Sequence, residues 1–218
     1  MDILRHESRA ARTTLTNAIN LRYRMQMRKL RRARDLSINF GSGGFGLPSW
    51  VNVELRPHKD TTICLDIRRR LPFADGSARR ILAEHVVEHL DFRKDVPRLL
   101  GEFYRVLAPR GVARIIVPDA QRFLEAYVTT DKAVWQKLGW DIDNLPPDIY
   151  TSMHVINHIF HQGGEHLFGY DFVTLQWVLE NAGFTKILRQ KFGVSLDPEL
   201  AIDQEIHKLY SLYVEVVR

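Results

Sequence analysis

Residues 94–118, KDVPRLLGEFYRVLAPRGVARIIVP, pass from one periodicity to another. Val96, Leu99, Leu100, Phe103, Val106 and Leu107 recur at helical spacing and predict a helix over about 94–108. Ala108-Pro-Arg-Gly111 supplies the proline and glycine that stop it. VARIIVP, 112–118, then reads as one continuous apolar strand, the kind covered on both faces of a parallel sheet. A helix that hands over at once to such a strand is the repeating step of an α/β layered protein.

The same alternation extends both ways. Strands are expected at about 36–40 (LSINF), 50–55 (WVNVEL), 61–66 (TTICLD), 80–84 (RILAE), 184–192 (FTKILRQKF) and 209–217 (LYSLYVEVV), and further helices at about 119–129 and 171–182. With VARIIVP that makes seven strands. Ligands of open α/β sheets bind beyond the carboxyl ends of the strands, so residues just after strands are the ones to examine. Residues 130–168 break the alternation, are rich in Trp, His and Tyr, and carry Asn144-Leu-Pro-Pro147 and Gly163-Gly164. An insertion there is expected to lie over the binding end of the sheet as a helical lid.

With 218 residues, 45% hydrophobic and 26% charged, the chain suits one domain with a full core. Cys64 is its single cysteine, which excludes an internal disulfide and a CxxC zinc site and makes a cytoplasmic location the expectation. No apolar run is long enough to cross a bilayer, and the N-terminus lacks the apolar centre of a secretory signal. The net charge of +5 is uneven: residues 1–35 carry +7 and residues 36–218 carry −2. Leu15, Ile19, Tyr23, Met27 and Leu30 form a helical apolar stripe among arginines and lysines, so 1–35 is read as a basic amphipathic arm and 36–218 as the main domain. The arm either packs its stripe on the domain or contacts an anionic lipid surface, nucleic acid or an acidic partner.

The first strand ends in Phe40-Gly-Ser-Gly-Gly-Phe-Gly46, where glycines allow a sharp turn and close approach of a ligand. Glu54 ends the second strand and Asp66 the third; carboxylates there can accept ribose hydroxyls and an adenine amino group. INFGSGGFGLPSWVNVEL, LDIRRRLPFADGSARRILAEHVVEHL and RVLAPRGVARIIVPD, in this order, resemble the successive motifs of class I S-adenosylmethionine-dependent methyltransferases. YDFVTLQWVLENAGF at 170–184 resembles a later helix and strand of that family.

The resemblance implies a Rossmann-like, mostly parallel seven-stranded sheet and S-adenosyl-L-methionine as cofactor. It places Phe40, Gly41, Ser42 and Gly43 around the amino-acid part of the cofactor, Glu54 at the ribose, Asp66 with Ile67 at the adenine, and Glu84 with His85 beside the sulfonium. Only Leu47-Pro-Ser-Trp50 separates the glycine loop from Val51, where the family has a full helix, so this crossover is expected to be extended or reduced. Arg110 stands where the family's turn usually has glycine.

His85-Val-Val-Glu88-His89 is also a literal H-x-x-E-H, the order used by inverted zinc peptidases. That reading needs a helix through all five residues and a third ligand, whereas the pentad directly follows a strand between methyltransferase-like motifs, so no metal is assigned to it. His85 is instead a candidate base for a hydroxyl acceptor, with Glu88 and His89 in support. Asp119 and His166 are further candidates for contacting the acceptor, and His154, His158 and His161 would share one helical face. The reading is a methyltransferase acting on a small molecule or glycan, at oxygen; a nucleoside-binding protein of the same fold without turnover, and a zinc hydrolase using HVVEH, are the alternatives.

Overall fold

The computed structural model describes Thr13 and residues 21–218. Among the described residues the chain order is α1 (Leu21–Arg32), β1 (Leu36–Phe40), β2 (Val51–Glu54), β3 (Ile63–Cys64), β4 (Ala78–Glu84), α2 (Asp95–Val106), β5 (Leu107–Pro118), α3 (Ala120–Thr129), α4 (Lys132–Lys137), α5 (Ser152–His161), α6 (Phe172–Asn181), β6 (Lys186–Gln190) and β7 (Ser211–Val217). The seven strands form one sheet in the order β3-β2-β1-β4-β5-β7-β6. β1 pairs in parallel with β2 and β4, β2 with β3, and β4 with β5, while β7 runs antiparallel between β5 and β6. The expected Rossmann-like, mostly parallel sheet is therefore present. β3 is shorter than 61–66, and β5 begins at Leu107 because residues before the Arg110 turn already pair with Ala78.

Period-2 alternation divides the sheet into two unlike faces. Ile38, Phe40, Val53, Ile81, Ala83, Ile115, Val117, Val214 and Val216 share one core with Val96, Leu99, Leu100 and Phe103 of α2 and Leu175 and Leu179 of α6. Each side chain so buried contributes about 1.5–3 kcal/mol. Leu30 joins this core, with Tyr23 and Met27 packed against it, so the described part of the expected arm docks its stripe on the domain. Leu15 and Ile19 lie outside the described residues.

The opposite face carries polar side chains within the strands and is covered mainly by loops. No helix forms in the crossover 41–50 from β1 to β2. Asn52 holds it instead, accepting from Leu47 N at 2.9 Å and donating to Leu47 O at 3.0 Å, while Asn39 donates to Phe45 O and to Asn52 Oδ1 at 3.2 Å each. Arg114, in the middle of VARIIVP, is fully buried on this face, paired with Asp203 at 2.6 Å and Glu215 at 3.0 Å. The strand read as apolar on both faces thus carries a guanidinium on one, because residues 191–210 close over it and supply the counter-charge. Arg80 to Asp197 at 2.6 Å and Glu84 to His207 at 2.8 Å fasten the same loop.

Residues 130–168 include α4 and α5 and pack with α3 around Phe123, Trp135, Leu138, Ile149, Val155 and Ile156, a second core beyond the carboxyl ends of β4 and β5. The segment returns to the main body where Leu167 N donates to Glu88 O at 2.8 Å and Ala120 N donates to Tyr170 O at 2.8 Å. No described helix is long and apolar enough to cross a membrane.

Candidate functional site

The glycine turn after β1 is held by packing and by a carboxylate. Gly41 has φ +66, and a Cβ there would lie 2.4 Å from Val86 Cγ2, so both conformation and space demand glycine. Gly44 faces open space, and a Cβ at Gly43 (φ +48) would meet only Gly41 O, at 4.0 Å. Ser42 Oγ is buried without a hydrogen-bond partner. Glu54 Oε2 accepts from Gly43 N at 3.0 Å, and Oε1 accepts from Leu55 N at 2.6 Å and Arg56 N at 3.3 Å. This carboxylate aims at the glycine turn and keeps lone-pair capacity on Oε2. An open glycine shelf, an unpartnered buried hydroxyl and a strand-end carboxylate fit the amino-acid and ribose ends of S-adenosylmethionine.

Asp66 reaches the same edge of the sheet but is already engaged. Arg68 donates from Nε to Oδ1 at 2.9 Å and from Nη2 to Oδ2 at 3.0 Å, and Arg69 approaches at 3.5 Å. Burial alone would raise this carboxyl, yet the hydrogen bonds and charges of Arg68 and Arg69 hold it below the ordinary range. An adenine amino group would have to share Asp66 with Arg68. Ile67 lies beside it, partly buried against the main core. Glu84, at the end of β4, is likewise committed: it accepts from Gln204 N and Nε2 at 3.2 Å each and pairs with His207.

His85 follows β4 with φ 52, a left-handed backbone that a histidine adopts only when its surroundings enforce it. Its N–H donates to Ile116 O at 2.8 Å, Nε2 lies 2.9 Å from Ser211 Oγ, and Nδ1 lies 3.1 Å from Glu88 Oε1. Its ring stacks on His207 at 3.8 Å. With Nδ1 against a carboxylate, the ring proton belongs on Nδ1 and Nε2 accepts from Ser211. Serine, histidine and carboxylate stand in the order of a hydrolase relay, but Ser211 is buried at the start of β7, so the hydroxyl orients the imidazole and is not presented as a nucleophile.

Val87–His89 is a single 3-10 turn, so His85 and His89 do not share the face of an α-helix as the inverted zinc motif requires. Glu88 is 1% exposed; neither oxygen makes a well-aligned hydrogen bond, although Oε1 touches His85. Burial would raise its carboxyl, but His85, and then His89, hold it below the ordinary range and so ionised. His89 Nδ1 meets Glu165 O at 3.0 Å, and His166 Nδ1 meets Ile159 O at 2.6 Å. Burial lowers the His166 imidazole below its usual range, which keeps it neutral near pH 7.

These groups open on a cavity of about 450 Å³ whose lining includes His85, His89, His158, His166, His207 and Tyr210. Pro118 of β5 and Leu138, Trp140 and Ile159 of the 130–168 segment complete much of its wall. Of the expected acceptor residues, His85 and His166 are brought together here. Asp119 instead is buried, pairs through Oδ2 with Arg189 at 2.9 Å and leaves Oδ1 unpartnered, and burial raises its carboxyl. His207 and Tyr210 were not singled out from the sequence: the loop that carries His207 has no periodic pattern, and Tyr210 was read as part of the last strand, which starts only at Ser211.

A family model described as a methyltransferase domain matches residues 50–115, the span from β2 into β5. Among solved structures, an S-adenosylmethionine-dependent methyltransferase from Archaeoglobus fulgidus is 15% identical, with a TM-score of 0.52 and coverage of 94% of this chain and 94% of that one. An S-adenosylmethionine-dependent methyltransferase from Mesorhizobium loti is 16% identical, with a TM-score of 0.50 and coverage of 93% and 100%. At such identities the likeness is one of fold. No curated protein matches significantly. The chain thus carries a stretch similar to a methyltransferase domain, from β2 into β5, within a fold similar to that of solved S-adenosylmethionine-dependent methyltransferases.

Proposed function

We propose that the chain transfers the methyl group of S-adenosylmethionine to a hydroxyl of a small molecule or of a glycan unit that enters the histidine-lined cavity. The observation that carries this reading is the cavity itself: about 450 Å³, the scale of a small-molecule site, placed between His85 at the end of β4 and the 130–168 segment. S-adenosylmethionine supplies an electrophilic methyl on a sulfonium. Transfer of that methyl to the acceptor oxygen would release the hydroxyl proton, which a residue of the chain would have to receive. Much of what the protein supplies is alignment and exclusion of water, to which residues 130–168 contribute as a lid.

In this reading His85 takes the proton. Glu88 beside Nδ1 stabilises the imidazolium, and an acceptor hydroxyl would replace Ser211 at Nε2. The outward face of α1, with Arg24, Arg28, Lys29, Arg31 and Arg32, offers a contact for an anionic partner while its apolar stripe is docked.

Methyl transfer from labelled S-adenosylmethionine to a panel of hydroxylated small molecules, sugars, amines and phenols tests the reading. Hydroxyl acceptors should turn over, and His85→Ala should lower kcat at least about 100-fold while leaving cofactor affinity within a few-fold. Turnover confined to amines, or equal loss of turnover and cofactor binding in His85→Ala, would contradict it.

A further inference from the structure

Two histidines of the cavity wall belong to a cluster that the alignment of a methyl acceptor does not by itself require. Glu88, His89 and His166 each bring one possible ligand atom to within 4.8 Å of the others. They come from the turn after β4 and from the end of the 130–168 segment, so the fold rather than local sequence assembles them. We propose that Glu88, His89 and His166 bind a divalent transition-metal ion, of the zinc or manganese kind, at the wall of the cavity.

Three observations support a built site. Both imidazoles present Nδ1 to a backbone carbonyl, Glu165 O for His89 and Ile159 O for His166, which fixes the proton on Nδ1 and leaves Nε2 as the free lone pair. Histidine ligands of metals are oriented in this way by a partner on the other nitrogen. Glu88 is 1% exposed, and its Oε2 has no partner, an uncompensated arrangement for a buried carboxylate that a cation would correct. His89 and His166 both line the cavity, so an ion has an entry path to them.

Two imidazole nitrogens and one carboxylate oxygen suit borderline divalent ions better than calcium or magnesium, which prefer oxygen sets. Ligands about 2.1 Å from one ion stand at most roughly 4.2 Å apart, so small side-chain rotations close the present spacing. His85 remains outside the ligand set, in contact with Glu88 Oε1 and with Ser211. This is a different use of HVVEH from the peptidase pattern: the second histidine and the glutamate serve, and His166 replaces the first histidine. The role of such an ion, holding the acceptor oxygen and favouring loss of its proton, rests on the methyltransferase reading; the binding site does not.

The full chain, freed of metal by chelation and dialysis, is titrated with Zn²⁺ by calorimetry and with Mn²⁺ by electron paramagnetic resonance. The wild type should bind one ion per chain, and Glu88→Gln, His89→Ala and His166→Ala should each weaken binding about tenfold or more. His89 is only partly buried, so His89→Ala decides the matter if the other variants melt early. Failure of the folded wild type to bind either ion, or unchanged affinity in His89→Ala, overturns the site. S-adenosylhomocysteine binding by the same preparations is read in parallel: cofactor binding without metal binding refutes the metal site alone, and metal binding without cofactor binding refutes the methyltransferase reading alone.

Discussion

Arg110 holds φ 68 in the turn before the buried part of β5, and its N–H donates to Arg218 O at 2.8 Å. A side chain in that conformation costs about 1–2 kcal/mol, whereas glycine adopts it freely but loses more entropy on folding. Arg110→Gly should therefore raise the urea stability by about 0.5–1 kcal/mol. Arg114 behaves oppositely, because its guanidinium balances Asp203 and Glu215 where all three side chains are fully buried. Arg114→Ala leaves two buried carboxylates unpaired and should cost about 3–5 kcal/mol in the same experiment. The sequence pointed to Arg110, since a glycine position in a motif implies a special backbone. It did not reveal Arg114, because one arginine among six apolar residues gives no sign of counter-charges about a hundred positions further along. The place of Glu54 at the end of β2 was legible from its motif, and the convergence of Glu88 and His89 with His166 was hidden for the same reason as Arg114.

Among the elements, strands and helices that bury one apolar stripe were legible because periodicity reports burial directly. α2 and α6 fall within two residues or so of their expected bounds, and the docked stripe of α1 follows the spacing of Tyr23, Met27 and Leu30. Leu30 is 6% exposed, so Leu30→Ala should lower stability by about 2–3 kcal/mol, read by denaturant unfolding, with S-adenosylhomocysteine affinity unchanged. Residues 191–210 were not legible. They cover a sheet face through Arg80, Glu84 and Arg114, and polar anchoring leaves no hydrophobic period to detect. The same physics explains the crossover 41–50: Asn39 and Asn52 satisfy backbone groups that a helix would have satisfied internally.

For the whole molecule, carboxylates held by arginines set the response to acid. Asp66 with Arg68, and Glu102 with Arg105 at 2.6 Å, are pulled below their ordinary values against the opposing effect of burial. Lowered folded-state values mean that their stabilisation is fully present above the unfolded carboxylate range, near pH 4, and is lost as pH falls through the folded values. Melting temperature should thus decline below about pH 4, and Asp66→Asn should show a shallower decline. At this scale the sequence disclosed the sheet, through the order of its strands, and directed attention to the end of it at which the cavity lies. Because a cavity depends on how distant segments meet, the histidine-lined site needed the fold.

Calorimetric titration of the purified chain with S-adenosylmethionine and S-adenosylhomocysteine bears most directly on the cofactor site. Both should bind, and Glu54→Ala should weaken binding by about 1–3 kcal/mol, the scale of hydrogen bonds to a charged group. Absence of binding by either compound to the folded protein would contradict the methyltransferase assignment, and an unchanged affinity in Glu54→Ala would contradict the placement of the ribose.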